Sequence, residues 1–281
     1  MQTSADTDPP RRVLAIAAHP DDIEFMMGGT LALLAERGWE AHYLAMASGN
    51  LGSLTQPPEE LVLTRSRESE AGALALGAIW HPSLVHDAEI IYSTDVLRRV
   101  TAVVRSVRPR IVLTQAPDDY MEDHTETSRL AAAAAFNRNM PNFPTSPPEP
   151  SYPGDVTVYH ALPHGLRDQL RRLVFPELFV DVHAVRDRKR AALAAHRSQE
   201  PWLVGVQGFA SPADTMDEMA YAVGSMSERF EYAEGWRRHS HLGFSVADGD
   251  PLAEALCEVC HVDDDYRRAL DRNPLRAPRT Q

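Results

Sequence analysis

Cysteine is almost missing from this chain, with only Cys257 and Cys260 among 281 residues. Two thiols cannot frame a disulfide scaffold. Their setting, "CEVCH", has the spacing of haem-attachment and redox motifs, but neither an export signal nor a preceding strand accompanies it. The surrounding "PLAEALCEVCHV" places its apolar residues on one helix face, so the pair reads as structural. Long hydrophobic runs are missing too: no stretch approaches the roughly 20 apolar residues of a membrane span. The start, "MQTSADTDPP", has neither the basic nor the apolar part of a signal peptide, and a cytoplasmic protein is expected. Basic residues are few beside acidic ones, 28 against 40, and the formal net charge of -12 opposes affinity for nucleic acid or anionic membranes. No Gly-x-Gly-x-x-Gly follows the first strand, which counts against a dinucleotide site. What remains is a small-molecule partner, with a homo-oligomer compatible.

What is present is alternation. The run "RVLAIAA" (12–18) has strand length, and "GGTLALLAERG" reads as a helix closed by Gly38. Then follow the strand "EAHYLAMA", a helix over "LTRSRESEAGALALG", a short strand near 79–86, a helix at "TDVLRRVTAVVRSV" and the strand "RIVLTQ" (110–115). Four strand–helix alternations predict an α/β fold: a Rossmann-like, mostly parallel sheet with helices on both faces. After the helix "HTETSRLAAAAAFNR", the prolines of 140–154 exclude regular structure, and this loop is expected to flank a site. Beyond it we expect strands at "DVTVYHAL" and "ELFVDV", then helices at "RDRKRAALAAHRSQ", "DEMAYAVGSMSERFEYAEGW" and "PLAEALCEVC". Residues 11–271 read as one domain between flexible tails at 1–10 and 272–281.

The chemistry concentrates at two strand exits. The first carries "AAHPDDIEFMMGG" (17–29) and the fourth "APDDYMEDHTETS". Adjacent carboxylates near a core repel each other unless a cation or proton offsets the cost. In a doubly wound sheet the first and fourth strands are neighbours, and the crevice beyond their carboxyl ends is the usual ligand site. His19, Asp22 and His124 then form a two-histidine, one-carboxylate set of the kind that holds a catalytic zinc with one position left for water. Zn2+ is the preferred ion, although non-haem iron takes the same ligand types. Asp21, directed elsewhere by its adjacency to Asp22, stays free as a general base, which beside a metal is the machinery of amide hydrolysis. Aspartates at such turns also cap helices, and Asp123 or Thr125 could cap the helix that follows. The coincidence of both motifs at neighbouring strand ends favours the metal.

"AHPDD" after an N-terminal strand, Gly-Gly-Thr opening the next helix and a downstream "DH" resemble the PIG-L/LmbE family of zinc-dependent N-acetylglucosaminyl deacetylases, over roughly residues 11–200. The resemblance implies His19, Asp22 and His124 as metal ligands and Asp21 as general base. It further implies an Arg-x-x-Glu pair at Arg67 and Glu70 with the arginine facing a sugar, Asp87 as a contact to sugar hydroxyls, and a C-terminal signature at His196 and Gln199. One departure stands out. Where many members read His-Pro-Asp-His, this chain reads Met121-Glu122-Asp123-His124, as in a branch with "DYMEDH"; methionine can neither stabilise an oxyanion nor protonate an amine. Those roles pass to the metal, to Asp21, or to another histidine such as His160, His164 or His241. His42, His81, His86, His239 and His241 otherwise read as structural.

The expected activity is therefore removal of an N-acetyl or related acyl group from an amino sugar. The alternatives are an amidase acting on a thiol conjugate or natural-product amide, and a metal-binding module without catalysis.

Overall fold

A computed structural model describes residues 11–270; the tails expected at 1–10 and 272–281 lie outside the described residues. The first half follows the predicted alternation. Strand β1 (Arg12–Ala17) leads through the short helix α1 (Asp22–Met26) to α2 (Gly28–Glu36). Then come β2 (Glu40–Ala45), α3 (Pro58–Leu76), β3 (Ala78–His81), α4 (Thr94–Val107), β4 (Ile111–Thr114), α5 (Glu122–Asn137) and β5 (Thr157–Ala161). The second half holds β6 (Leu178–Asp181), α6 (Arg186–Leu193), α7 (Glu200–Gly205), α8 (Pro212–Ser227), β7 (Ala233–Arg238), α9 (Pro251–Ala255), β8 (Cys260–Val262) and α10 (Asp264–Leu270).

All eight strands share one sheet in the order β3-β2-β1-β4-β5-β7-β6-β8. The pairings from β3 to β5 are parallel, while β5 with β7, β7 with β6 and β6 with β8 are antiparallel. From β1 the chain winds outward to β3, then returns to lay β4 on the other side of β1. The order therefore reverses between β1 and β4, where such sheets open a crevice beyond the strand ends. In the paired register Val13 meets Ile111 and Ile16 meets Thr114. Two apolar layers cover the sheet, one centred on Leu31, Leu34, Tyr43 and Trp236, the other on Leu14, Ile16, Val100 and Val104. Helix α4 illustrates the local logic: Val96, Leu97, Val100, Val104 and Val107 recur on one face and are buried, and Ser93 Oγ accepts from Val96 N at 3.2 Å to cap the start.

Three expectations are corrected. The helix read through Trp236 stops at Ser227, and 233–238 is β7; Trp236 is fully buried at the sheet centre, with its indole N–H donated to Thr30 Oγ1 at 3.0 Å. The helix read over 251–260 ends at Ala255, and Cys260 opens β8, paired with β6. The proline-rich loop does not flank the cavity described below. It follows the end of α5 remote from the strand exits, where Arg105 donates to the carbonyls of Asn137, Met140 and Glu149 and Arg138 to that of Gly154.

The Gly-Gly-Thr turn has a packing reason. A side chain at Gly29 would collide with Val182, and the amides of Gly29 and Thr30 donate to Glu234 on β7 at 2.8 and 2.7 Å. Glu234 also pairs with Lys189 at 2.7 Å, both side chains being 3% exposed, so the start of α2 is tied to β7 in the antiparallel half of the sheet.

Candidate active site

The two acidic motifs converge as the sheet topology requires. His19 leaves β1, and Asp22 folds back so that its Oδ2 accepts the His19 backbone N–H at 2.7 Å and the Gln115 amide at 3.1 Å. His124, on the first turn of α5, brings its Nε2 to 3.4 Å from Asp22 Oδ2, and His19 Nδ1 lies 3.4 Å from the same oxygen. One ligand atom from each of the three residues falls within 4.8 Å of the others. Ligands about 2.1 Å from a tetrahedral zinc stand about 3.4 Å apart, which the separations of Asp22 from His19 and from His124 match.

The outer nitrogens of both rings are engaged. His19 Nε2 donates to Asp123 Oδ2 at 3.0 Å and His124 Nδ1 to Asp119 Oδ1 at 3.0 Å, the arrangement that orients a metal-binding imidazole. Asp123 also accepts from Ala88 N at 3.0 Å, so its carboxylate is not the helix cap that sequence allowed; no side chain caps α5. Electrostatics follow. Burial opposes charge on His19, yet the bonds to Asp123 and Asp22 raise its pKa to about 10. Burial would likewise raise Asp22, but the charges of His124 and His19 hold it well below the usual carboxylate range. Protons on the imidazoles and a divalent cation are alternative ways of balancing these carboxylates.

Asp21 lines the same cavity but is not part of the three-residue set. It occupies a left-handed conformation (φ 104°) rare for a non-glycine residue, and its side chain makes no capping hydrogen bond. Its Oδ2 is buried without a hydrogen-bond partner and lies 3.5 Å from Arg65 Nη2. Burial pushes the Asp21 carboxyl up to about 6, against the pull of Arg65, while the neighbouring Asp22 adds to the rise. A buried, strained carboxylate near neutrality beside a candidate metal set is equipped to take a proton.

Of the two arginines on this stretch of α3, Arg65 and not the expected Arg67 lines the cavity. Arg67 and Glu70 are exposed on α3 and do not line the cavity, whereas Arg65 is 1% exposed and bonded to the Pro20 carbonyl and Gln199 Oε1. The motif Arg-x-x-Glu also fits Arg65 and Glu68, and Glu68 accepts from Ser198 N at 2.9 Å and Ser198 Oγ at 2.6 Å. The pattern was legible; its register was decided by the buried face of α3, which carries Leu61, Arg65, Ser69 and Gly72. Gly49 (φ 74°) passes directly over this guanidinium, and a Cβ there would sit 2.5 Å from Arg65 Nε.

Asp87 lines the cavity, and its two oxygens accept from Gly49 N at 2.7 Å and Leu51 N at 3.0 Å. His196 is buried with Nε2 3.1 Å from Glu24 Oε1, and the Tyr43 hydroxyl donates to Glu24 Oε2 at 3.0 Å. The cavity over these groups has a volume of about 320 Å³. Its inner wall is polar (His19, Asp21, Asp22, His124), and its outer wall is built from Phe25, Tyr120, His164, Trp202 and Phe209. Asp119, Arg65 and this aromatic wall were not identified from the sequence.

Residues 14–135 match the family described as PIG-L: GlcNAc-PI de-N-acetylase. The chain is 30% identical over 200 residues to a diacetylchitobiose deacetylase of Thermococcus kodakarensis, covering 68% of this chain and 71% of that protein. It is 28% identical over 200 residues to a 4-oxalmesaconate hydratase of Pseudomonas putida, covering 68% and 75%. Among solved structures, the N,N'-diacetylchitobiose deacetylase of Pyrococcus horikoshii in complex with an inhibitor superposes with a TM-score of 0.67 at 26% identity, covering 88% of this chain and 92% of that one. The chain belongs to the PIG-L family.

Proposed function

We propose that this protein is a zinc-dependent hydrolase that removes an N-acetyl or related acyl group from an N-acetylglucosamine-type amino sugar. The observation that carries the reading is the meeting of His19, Asp22 and His124 around one point, with the buried Asp21 carboxylate beside them in the same cavity. In this reading His19, Asp22 and His124 hold the ion, oriented by Asp123 and Asp119. A divalent ion held there would lower the pKa of a water and polarise a carbonyl. Asp21 takes the proton of the attacking water and returns it to the departing amine. Arg65 holds Asp21 in place, and Asp87 fixes loop 49–51 at the rim, within reach of sugar hydroxyls.

A second reading, hydration of an unsaturated oxo acid, is favoured by the similarity to the Pseudomonas putida hydratase. The cavity chemistry favours the first. A di- or tricarboxylate needs cations, and among the cavity-lining residues Arg65 is the single arginine or lysine, already bonded to Pro20, Gln199 and Asp21.

Elemental analysis of the purified protein, paired with amine release from N-acetylglucosamine glycosides, tests the reading. Asp21→Asn should keep its metal and lose turnover by about 100-fold or more; His124→Ala should lose both. Full activity in either variant, or hydration of oxo acids without amine release by the native enzyme, refutes the assignment.

A further inference from the structure

Met121 leaves a gap in the chemistry just described. Nothing at that position can donate a hydrogen bond to the carbonyl oxygen as it gains charge, and a methionine thioether is only a weak acceptor. Three histidines stand out in the sequence as replacements, and the structure separates them. His160 is 5% exposed, with Nδ1 3.0 Å from both Ser128 Oγ and the Gln115 carbonyl and Nε2 3.0 Å from His239 Nδ1; both nitrogens are committed and it does not line the cavity. His241 lies outside the cavity, with Nδ1 3.5 Å from Asp248. His164 lines the cavity, and among the described residues neither ring nitrogen makes a hydrogen bond or ion pair.

The placement of His164 is enforced. It follows β5 in the turn Pro163-His164-Gly165-Leu166, where Gly165 and Leu166 both have positive φ (76° and 60°). A leucine in this conformation is strained and is kept there by its surroundings. Leu166 is buried against Leu162, Phe179 and Met219, and its amide donates to the Pro163 carbonyl at 2.8 Å. Farther along the same loop, Gln169 donates to Asp118 Oδ1 at 2.8 Å, tying it to the loop after β4.

Aromatic contacts set the ring itself. It stacks on Phe209 at 5.4 Å with an interplanar angle of 3° and meets the edge of Phe25 at 5.4 Å. Tyr120 stands between the two histidines, 5.9 Å from the His164 ring and 5.5 Å from that of His124. His164 is thus one side chain, Tyr120, away from the candidate metal set and lines the same cavity.

We propose that His164 is a catalytic residue, donating an imidazole N–H hydrogen bond to the carbonyl oxygen of the scissile amide in place of the histidine that Met121 replaces. The inference rests on the deacetylase reading. As water adds, its oxygen bonds to the carbonyl carbon, the π pair moves to the carbonyl oxygen, and one water proton passes to Asp21. His164 keeps its proton and shares it with that oxygen. On collapse the pair returns to carbon, the C–N bond breaks with its electrons going to nitrogen, and Asp21 gives nitrogen its proton. Burial lowers the pKa of His164 and outweighs the nearby Asp22 and Asp119, while His124 adds to the lowering, so at neutral pH the ring is uncharged and carries one donor. A neutral imidazole keeps one N–H, which is enough to donate a hydrogen bond to the oxygen as it gains charge.

The test compares His164→Phe, which preserves the stack on Phe209, with His164→Gln, which restores a donor. The readouts are metal content, thermal unfolding, and kcat and KM for amine release from N,N'-diacetylchitobiose and p-nitrophenyl N-acetylglucosaminide. We expect both variants to keep metal and melting behaviour. His164→Phe should lose kcat by about 100-fold with KM changed less than about threefold, and His164→Gln should recover at least tenfold of that loss. A His164→Phe enzyme with native kcat overturns the proposal, as does a His164→Gln enzyme no faster than His164→Phe, which would make the ring a packing element. If the native enzyme itself releases no amine, the deacetylase reading falls and this role falls with it.

Discussion

Asp123 Oδ2 accepts a hydrogen bond from His19 Nε2 at 3.0 Å, joining the loop after β1 to the first turn of α5. Adjacent in sequence to His124, Asp123 works on the opposite histidine, while Asp119 holds His124 itself. Neither carboxylate is in the set that can hold the ion. Each fixes which imidazole nitrogen faces it and how the ring is turned.

Removing that support should weaken metal binding without abolishing the fold. Asp123→Ala is expected to lower zinc affinity by about 10- to 100-fold, measured by competition with a chromogenic chelator, with Asp119→Ala behaving alike. Because His19 carries a pKa of about 10 without metal and His124 is also raised, zinc uptake should release protons and weaken as pH falls. Native affinity in both variants would contradict the orienting role.

The two arginines of α3 give a sharp contrast. Arg67 is exposed, and Arg67→Ala should leave stability within about 0.5 kcal/mol and turnover unchanged. Arg65→Met leaves the buried Asp21 and Pro20 oxygens unpartnered; we expect about 3 kcal/mol of destabilisation in urea titrations and a large loss of kcat. Equal behaviour of the two variants would reverse this assignment.

His160 sets a pH dependence of stability. Burial lowers its folded pKa to about 4, against about 6.5 in an unfolded chain. Above pH 6.5 it is neutral in both states and costs nothing. Below that the unfolded chain takes up the proton first, so stability falls between about pH 6.5 and 4 and levels off beneath. The full swing is about 3 kcal/mol. Urea midpoints for the native protein and His160→Gln, compared across this window, should show a shallower slope in the variant. Parallel curves would show that His160 contributes nothing.

Much of the site was legible because its chemistry is carried by local motifs. "AHPDD" and "EDH" announced two histidines and their carboxylates, and strand–helix alternation placed β1 beside β4, as the register of Val13 with Ile111 bears out. Arg65 was legible in principle, since the buried positions of α3 recur at helical spacing through Leu61, Arg65, Ser69 and Gly72. Two overlapping Arg-x-x-Glu matches concealed which arginine would be buried. β7 was hidden by a sequence that suits a helix, because burying Trp236 at the sheet centre outweighs local propensity.

By itself, then, the sequence determined which residue types stand at the strand exits and that the first and fourth exits would meet, because backbone hydrogen bonding and hydrophobic period act over a few residues and the winding of parallel strands follows a general rule. Tertiary structure alone decided which arginine turns inward, that Asp119 and Asp123 brace opposite histidines, and that His164 rather than His160 faces the cavity. These outcomes depend on packing among segments up to about 150 residues apart, and no local pattern encodes which of several similar side chains will find the only space left for it.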